Sequence, residues 1–125
     1  MPSTYDQHVD HLALSCETIL GSAVIDMKTA QANTIFVADR TCRITRVIVR
    51  DPSASLAGGT SYSITNFLQT FSLVNLTTVA GYTIVQPTAL ALYTETAAGT
   101  AVQLTVTTGS TLAATATVDV FGYYA

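Results

Sequence analysis

The stretch AVQLTVTTGSTLAATATVDVFGYY, residues 101–124, decides the fold. Residues 101–107 alternate: Val102, Leu104 and Val106 face one way, Gln103, Thr105 and Thr107 the other. A turn at Gly109-Ser110 follows. Residues 114–124 then alternate again, with Ala116, Val118 and Val120 on one side and Thr117, Asp119 and Phe121 on the other. A period of two over runs this long means strands buried on one face. The turn between them predicts that the two runs pair as a hairpin. Threonine suits the other face, because a β-branched side chain stiffens a strand while its hydroxyl keeps the surface wet.

Working outward, the same period recurs in SAVIDM (22–27), NTIFVA (33–38), CRITRVIVRD (42–51), TSYSITNF (60–67), GYTIVQ (81–86) and ALALYTE (89–95). Pro87 interrupts the pattern because it cannot donate to a ladder. PSASLAGG (52–59) reads as a loop whose Gly58-Gly59 pair permits a positive-φ turn, and TAAG (96–99) supplies similar punctuation. Residues 68–79 read as a short helix or another strand. Run 42–51 is odd. One face carries Ile44, Arg46, Ile48 and Arg50, the other Arg43, Thr45, Val47 and Val49, so both are mixed. About eight short strands with turns every 8–12 residues predict an all-β antiparallel sandwich, jelly-roll-like. Residues 1–20 differ. They hold both histidines and three of the eight acidic residues, and Val9, Leu12, Cys16 and Ile19 fall at helical spacing. They read as an N-terminal arm or short helix that packs on something else, with residues 21–125 as one sandwich domain. The length of 125 residues fits a single core.

Charge is scarce and unevenly placed. Only 10% of residues are charged, where roughly a quarter is usual, yet the hydrophobic content of 49% excludes disorder. A net charge of −3 gives no overall attraction to nucleic acid or to an anionic membrane. Lys28, Arg40, Arg43, Arg46 and Arg50 are the basic residues, and beyond Asp51 the chain carries just Glu95 and Asp119. A surface this poor in charge is expected where another protein covers part of it. The competing reading is a threonine- and serine-coated sandwich without a partner. The N-terminus lacks the basic start and continuous apolar core of a signal peptide, and no apolar run reaches the ~18 residues of a membrane span. Cys16 and Cys42 allow one disulfide at most, and after synthesis in a cytoplasm two buried thiols are expected instead.

No chemical motif stands out. His8, Asp10 and His11, with Cys16 nearby, cluster in the arm, where a solvated segment is the better reading than a zinc site. There is no G-x-S-x-G elbow. LAGGT and TAAGT lack the spacing and lysine of a phosphate loop. Glu95 and Asp119 are expected to pair with arginines or sit at turns. The reading is a non-enzyme with no catalytic residue, cofactor or metal. Arg40, Arg43, Arg46 and Arg50 carry the most weight. Their planar forks suit bidentate contact with an acidic protein surface. Nucleic-acid contact is the weaker reading, since Asp39 and Asp51 flank a small patch. Internal pairing with those aspartates and Asp26 is the third.

TAAGTAVQLTVTTGSTLAATATVDVFGYYA, with TCRITRVIVRD upstream, resembles the head decoration, or cement, proteins of tailed bacteriophages. The likeness spans residues 22–125 and is one of length, threonine- and alanine-rich strands and a terminal aromatic strand. It implies a jelly roll, often trimeric, on the capsid exterior of a virion, bound to the major capsid protein and bracing the shell. It implies no active site. Arg40, Arg43, Arg46 and Arg50 would then supply polar partner contacts, and Phe121, Tyr123 and Tyr124 would fill a core or a subunit interface. The alternative is a receptor- or glycan-binding module of a tail fibre or adhesin, with its pocket on loops 52–60 or 95–100.

Overall fold

The computed structural model describes residues 17–86 and 95–124. Of the arm or short helix expected over residues 1–20, residues 1–16 lie outside them, and the rest is corrected: Thr18, Ile19 and Leu20 begin the first strand of the sandwich. Most of the strand expected at 89–95 also lies outside the described residues. Nine strands follow in order: β1 (Thr18–Asp26), β2 (Ala32–Val37), β3 (Cys42–Arg50), β4 (Ser61–Ile64), β5 (Phe67–Phe71), β6 (Tyr82–Val85), β7 (Glu95–Thr96), β8 (Ala101–Thr108) and β9 (Thr115–Tyr124). They form two antiparallel sheets. Sheet A runs β1-β9-β3-β6, with β7 also on β3, and sheet B runs β2-β8-β4-β5. The pairs nest: β1 with β9, β2 with β8, β3 with β6 and β7, β4 with β5. A long hairpin wound into two sheets has this order, which makes the all-β sandwich a jelly roll.

The closing hairpin expected from residues 101–124 is therefore corrected. β8 and β9 do not pair: β8 lies between β2 and β4, and β9 between β1 and β3. Residues 109–114 cross from one sheet to the other. The alternation itself holds, since Val102, Leu104, Val106, Ala116, Val118 and Val120 are all 2% exposed or less. They meet Ile25, Met27, Ile44, Val47 and Val49 from sheet A, and Ile35, Tyr62, Ile64, Phe67 and Phe71 from sheet B, in one core. Leu56, Leu73 and Leu76 close that core from the loops. Tyr62 brings a polar group inside and satisfies it, its hydroxyl donating to the Met27 carbonyl at 3.0 Å.

Two further expectations change. The run 60–67 is not one strand, because the chain turns at Thr65-Asn66 between β4 and β5, pairing Ile64 with Phe67. Asn66 takes φ 56°, a left-handed conformation that asparagine tolerates better than most residues. The ambiguous segment after it thus starts as strand β5. Gly58 and Gly99 take positive φ in their loops, as the turn composition implied.

The mixed faces of 42–51 resolve through a β-bulge. Ile44 opposes Gly122 and Arg46 opposes Phe121, so Thr45 is an extra residue. The extra residue flips the alternation. Cys42, Ile44, Val47 and Val49 all point into the core, while Arg43, Arg46, Ile48 and Arg50 all point out. A matching bulge in β1, between Ile19 and Gly21, flanks the same point of β9 from the other side. Gly122 permits the close approach there, since a Cβ on it would stand 1.9 Å from the Arg43 carbonyl oxygen.

Candidate functional site

The bulges and register set the outer face of sheet A as a grid. One row reads Val24, Thr117, Arg50, Tyr82; the next Ser22, Asp119, Ile48, Ile84; a third Ile19, Phe121, Arg46. The sequence-derived contact residues gather here. Arg43, Arg46, Arg50, Phe121 and Tyr123 lie on this face. Arg40 and Tyr124 lie at its end, with the Arg40 guanidinium 3.8 Å over the Tyr124 ring.

Each β3 arginine meets a carboxylate of the same chain. Arg50 Nε donates to Asp119 Oδ2 at 2.7 Å, and its Nη1 donates to Asp51 Oδ2 at 2.8 Å. Arg43 Nη2 is 3.8 Å from Glu95 Oε2. Arg46 Nε is 2.7 Å from Glu17 Oε1, an ion contact too bent to count as a hydrogen bond. Glu17 also accepts from the Thr45 hydroxyl, which the bulge has turned toward it. The Arg46 guanidinium rests 4.6 Å from the Phe121 ring centroid, a cation–π contact. Glu95 and Asp119 thus pair with arginines, as their isolation in the β-rich half suggested.

Asp119 is the best-held charge. It is 6% exposed and accepts from Ser22 Oγ at 2.6 Å as well as from Arg50. Burial alone would push its carboxyl up, but the hydrogen bonds from Arg50 and Ser22 and the Arg50 charge outweigh that and hold it below the ordinary carboxylate range. Asp26 is also lowered, chiefly by the backbone N–H of Lys28 and by Thr29. Cys42 is a free thiol, buried, and burial followed by the nearby Asp39 charge pushes its pKa up, so it stays protonated and unreactive.

The outer face of sheet B is different. Its four strands, ANTIFV, AVQLTVTT, SYSI and FLQTF, contain no acidic or basic residue. Thr34, Gln103, Thr105, Ser61, Ser63 and Thr70 supply its polar groups. They bond to one another and to the chain: Gln103 Nε2 donates to Thr34 Oγ1 at 3.1 Å, and the Gln103 N–H donates to Thr65 Oγ1 at 3.1 Å.

What sequence reading missed is the apolar margin of sheet A. Val24, Tyr82 and Ile84 are 68%, 67% and 46% exposed. In GYTIVQ both alternating sets are partly apolar, so the buried one could not be told from the exposed one. An open depression of about 340 Å³ is lined by Asp26, Ser53, Ala113, Ala114 and Thr115. Its one carboxylate accepts from the N–H groups of Lys28 and Thr29. Among the described residues no three His, Cys, Asp or Glu side chains converge on a metal; His8, Asp10, His11 and Cys16 lie outside them. No helix of the described residues is long and apolar enough to cross a membrane. No protein-family model matches the chain, and no curated protein sequence does.

Proposed function

We propose that the chain is a non-catalytic structural protein of a bacteriophage virion, a decoration or cement protein that binds the assembled capsid from outside and stabilises it. One observation carries this reading: an entire outer face of the jelly roll, that of sheet B, is built without a charged side chain. A charged group buried in a contact without a partner is costly. Hydroxyls can instead bond to whatever backbone or side chain covers them. The resemblance of the closing strands to phage decoration proteins supports the capsid as that cover, with the major capsid protein as partner and self-association into a homo-oligomer, three copies being favoured by the resemblance.

The mechanism is mass action. A protein that binds the assembled lattice better than its loose subunits stabilises the lattice by RT ln(1 + [L]/Kd), about 2.7 kcal/mol per site at 100 Kd. Repetition over a shell multiplies a modest affinity into resistance to internal pressure. The test is co-sedimentation of the purified full chain with capsids of the virus whose genome encodes it, beside unassembled coat subunits. Saturable binding to capsids, with a rise in their disruption temperature, is expected. Binding to glycans with no capsid affinity would transfer the chain to the receptor-binding alternative.

A further inference from the structure

We infer that the outer face of sheet A is a self-association surface, on which a second copy of this chain packs face to face about a two-fold axis parallel to the strands. This deepens the homo-oligomer part of the reading above and rests on it, with two copies in place of the three that the resemblance favours; it does not depend on the capsid.

The face combines two properties seldom found together on a wet surface. Its margins are apolar and open: Ile19 and Val24 on β1 are 53% and 68% exposed, and Tyr82 and Ile84 on β6 are similarly bare. Its centre is charged, yet the charges are already matched. Arg46 meets Glu17, Arg43 meets Glu95, and Arg50 meets Asp119 and Asp51, all from this same chain. Foreign partners are usually selected by complementary charge, and here each β3 arginine already meets a carboxylate of its own chain. An identical face, by contrast, can be brought up without opposing like charges, which an isologous contact demands of any surface that must meet itself.

Size permits it. Four strands at ~4.8 Å spacing and about eight residues at ~3.3 Å give a projected area on the order of 500 Å². Standing side chains add to that, against the ~600 Å² per partner at the lower end of specific interfaces. The register then pairs the margins. A two-fold axis parallel to the strands, midway between β9 and β3, lays β1 of one copy over β6 of the other. Val24 and Tyr82 share a row of the grid, so Val24 of each copy falls opposite Tyr82 of the other. Phe121 and Arg46 also share a row, so the stacked ring of one copy meets the guanidinium of the other. Arginine and aromatic side chains are the groups that dominate interface cores.

The experiment is sedimentation equilibrium of the full chain and three variants, with circular dichroism to verify the fold. Wild type is expected as a dimer. Val24→Glu with Tyr82→Glu places like charges opposite each other across the axis and should raise the dimer Kd at least tenfold. Val24→Glu with Tyr82→Lys places opposite charges there and should recover most of the loss, although within one copy the two sites lie on opposite margins. Thr105→Glu, on sheet B, should leave the dimer intact. A wild-type monomer or trimer would overturn the inference, as would a dimer indifferent to the Glu/Glu pair, no recovery by the Glu/Lys pair, or dissociation by Thr105→Glu. A trimer would leave the homo-oligomer standing and remove only this geometry. Capsid co-sedimentation of the same variants reports separately on the shell.

Discussion

On one outer face of this sandwich, three arginines and four carboxylates interlock among exposed valine, isoleucine and tyrosine; on the other, threonine, serine and glutamine supply the polar groups without a charge, beside an exposed Val37. Both faces belong to pleated sheets of similar size and share one core. The difference teaches where this chain can tolerate ionised groups. Sheet A supplies each arginine with a neighbour: β3 lies between β9, with Asp119, and β7, with Glu95, and Glu17, just before β1, reaches Arg46. Sheet B has no such lattice, and its strands avoid charge altogether. Breaking the geometry that orients sheet A should therefore cost far more than any change on the outer face of sheet B.

The largest effect is expected at Gly122. A methyl group there would stand 1.9 Å from the Arg43 carbonyl oxygen, and that oxygen belongs to a strand fixed on both edges. Gly122→Ala must open the β3–β9 ladder beside both bulges. A loss of about 3 kcal/mol or more is expected in urea unfolding, in the range of overpacked cores. A loss under 1 kcal/mol would show that the bulges yield, and that the outward aim of the arginines is not set by this contact.

Next in size is Asp119→Asn, which keeps the shape but removes the charge from Arg50 and Ser22. Hydrogen bonds to a charged group contribute about 1.5–3 kcal/mol; since Arg50 keeps Asp51 and is partly wet, a loss of about 2 kcal/mol at neutral pH is expected. The pH dependence is specific. The folded-state pKa of Asp119 lies below its unfolded value. Its stabilisation is therefore complete above the ordinary carboxylate value of ~3.9 and disappears as pH falls through the folded pKa. Urea midpoints of wild type and variant should differ at pH 7 and converge in strong acid. Curves that stay parallel throughout would remove the ion pair from the account.

These two sites also mark what the sequence could and could not disclose. The inward sets of β8 and β9 were legible because burial on one face leaves a period of two. Their pairing was not. The connection from Gly109 to Ala114 is long enough to cross the ~10 Å between packed sheets, and alternation reads the same in a hairpin and in two strands of different sheets. The arginine strand misled for a related reason. Counting by twos across Thr45 splits the arginines between faces, and the bulge that reunites them depends on Gly122, far along the chain. The turn at Asn66 did leave a trace, since asparagine tolerates left-handed backbone, but one asparagine without a neighbouring glycine is a faint signal. Of the residues on the outer face of sheet A, Arg43, Arg46 and Arg50 stood out by composition. Val24, Tyr82 and Ile84 were not, because nothing in a short apolar run says which half faces out.

A smaller effect is expected at Arg46→Met, which keeps the stem over Phe121 and removes the charge beside Glu17. A partly exposed pair and a cation–π contact each contribute about 1 kcal/mol, so a loss of about 1–2 kcal/mol is expected. It should shrink with added salt, since salt screens the pair and leaves apolar contact untouched. A loss independent of salt would assign Arg46 to packing.

The smallest effect on folding, and the sharpest on the comparison, belongs to Thr105. It stands outward on β8, opposite Ser63 on β4 and Ala32 on β2, with only uncharged neighbours in register. Thr105→Val keeps the β-branched shape and should change stability by less than ~0.5 kcal/mol. Thr105→Lys should do little more, because on a wet face the ammonium reaches water along its own stem. The two part company only where another protein lies on sheet B. There the lysine charge is desolvated with no carboxylate in the sheet to meet it, and capsid co-sedimentation should weaken by tenfold or more, while valine stays near wild type. If lysine binds as tightly as threonine, the charge-free face is simply a solvated one, and its neutrality records the chemistry of β-strand threonine rather than a partner.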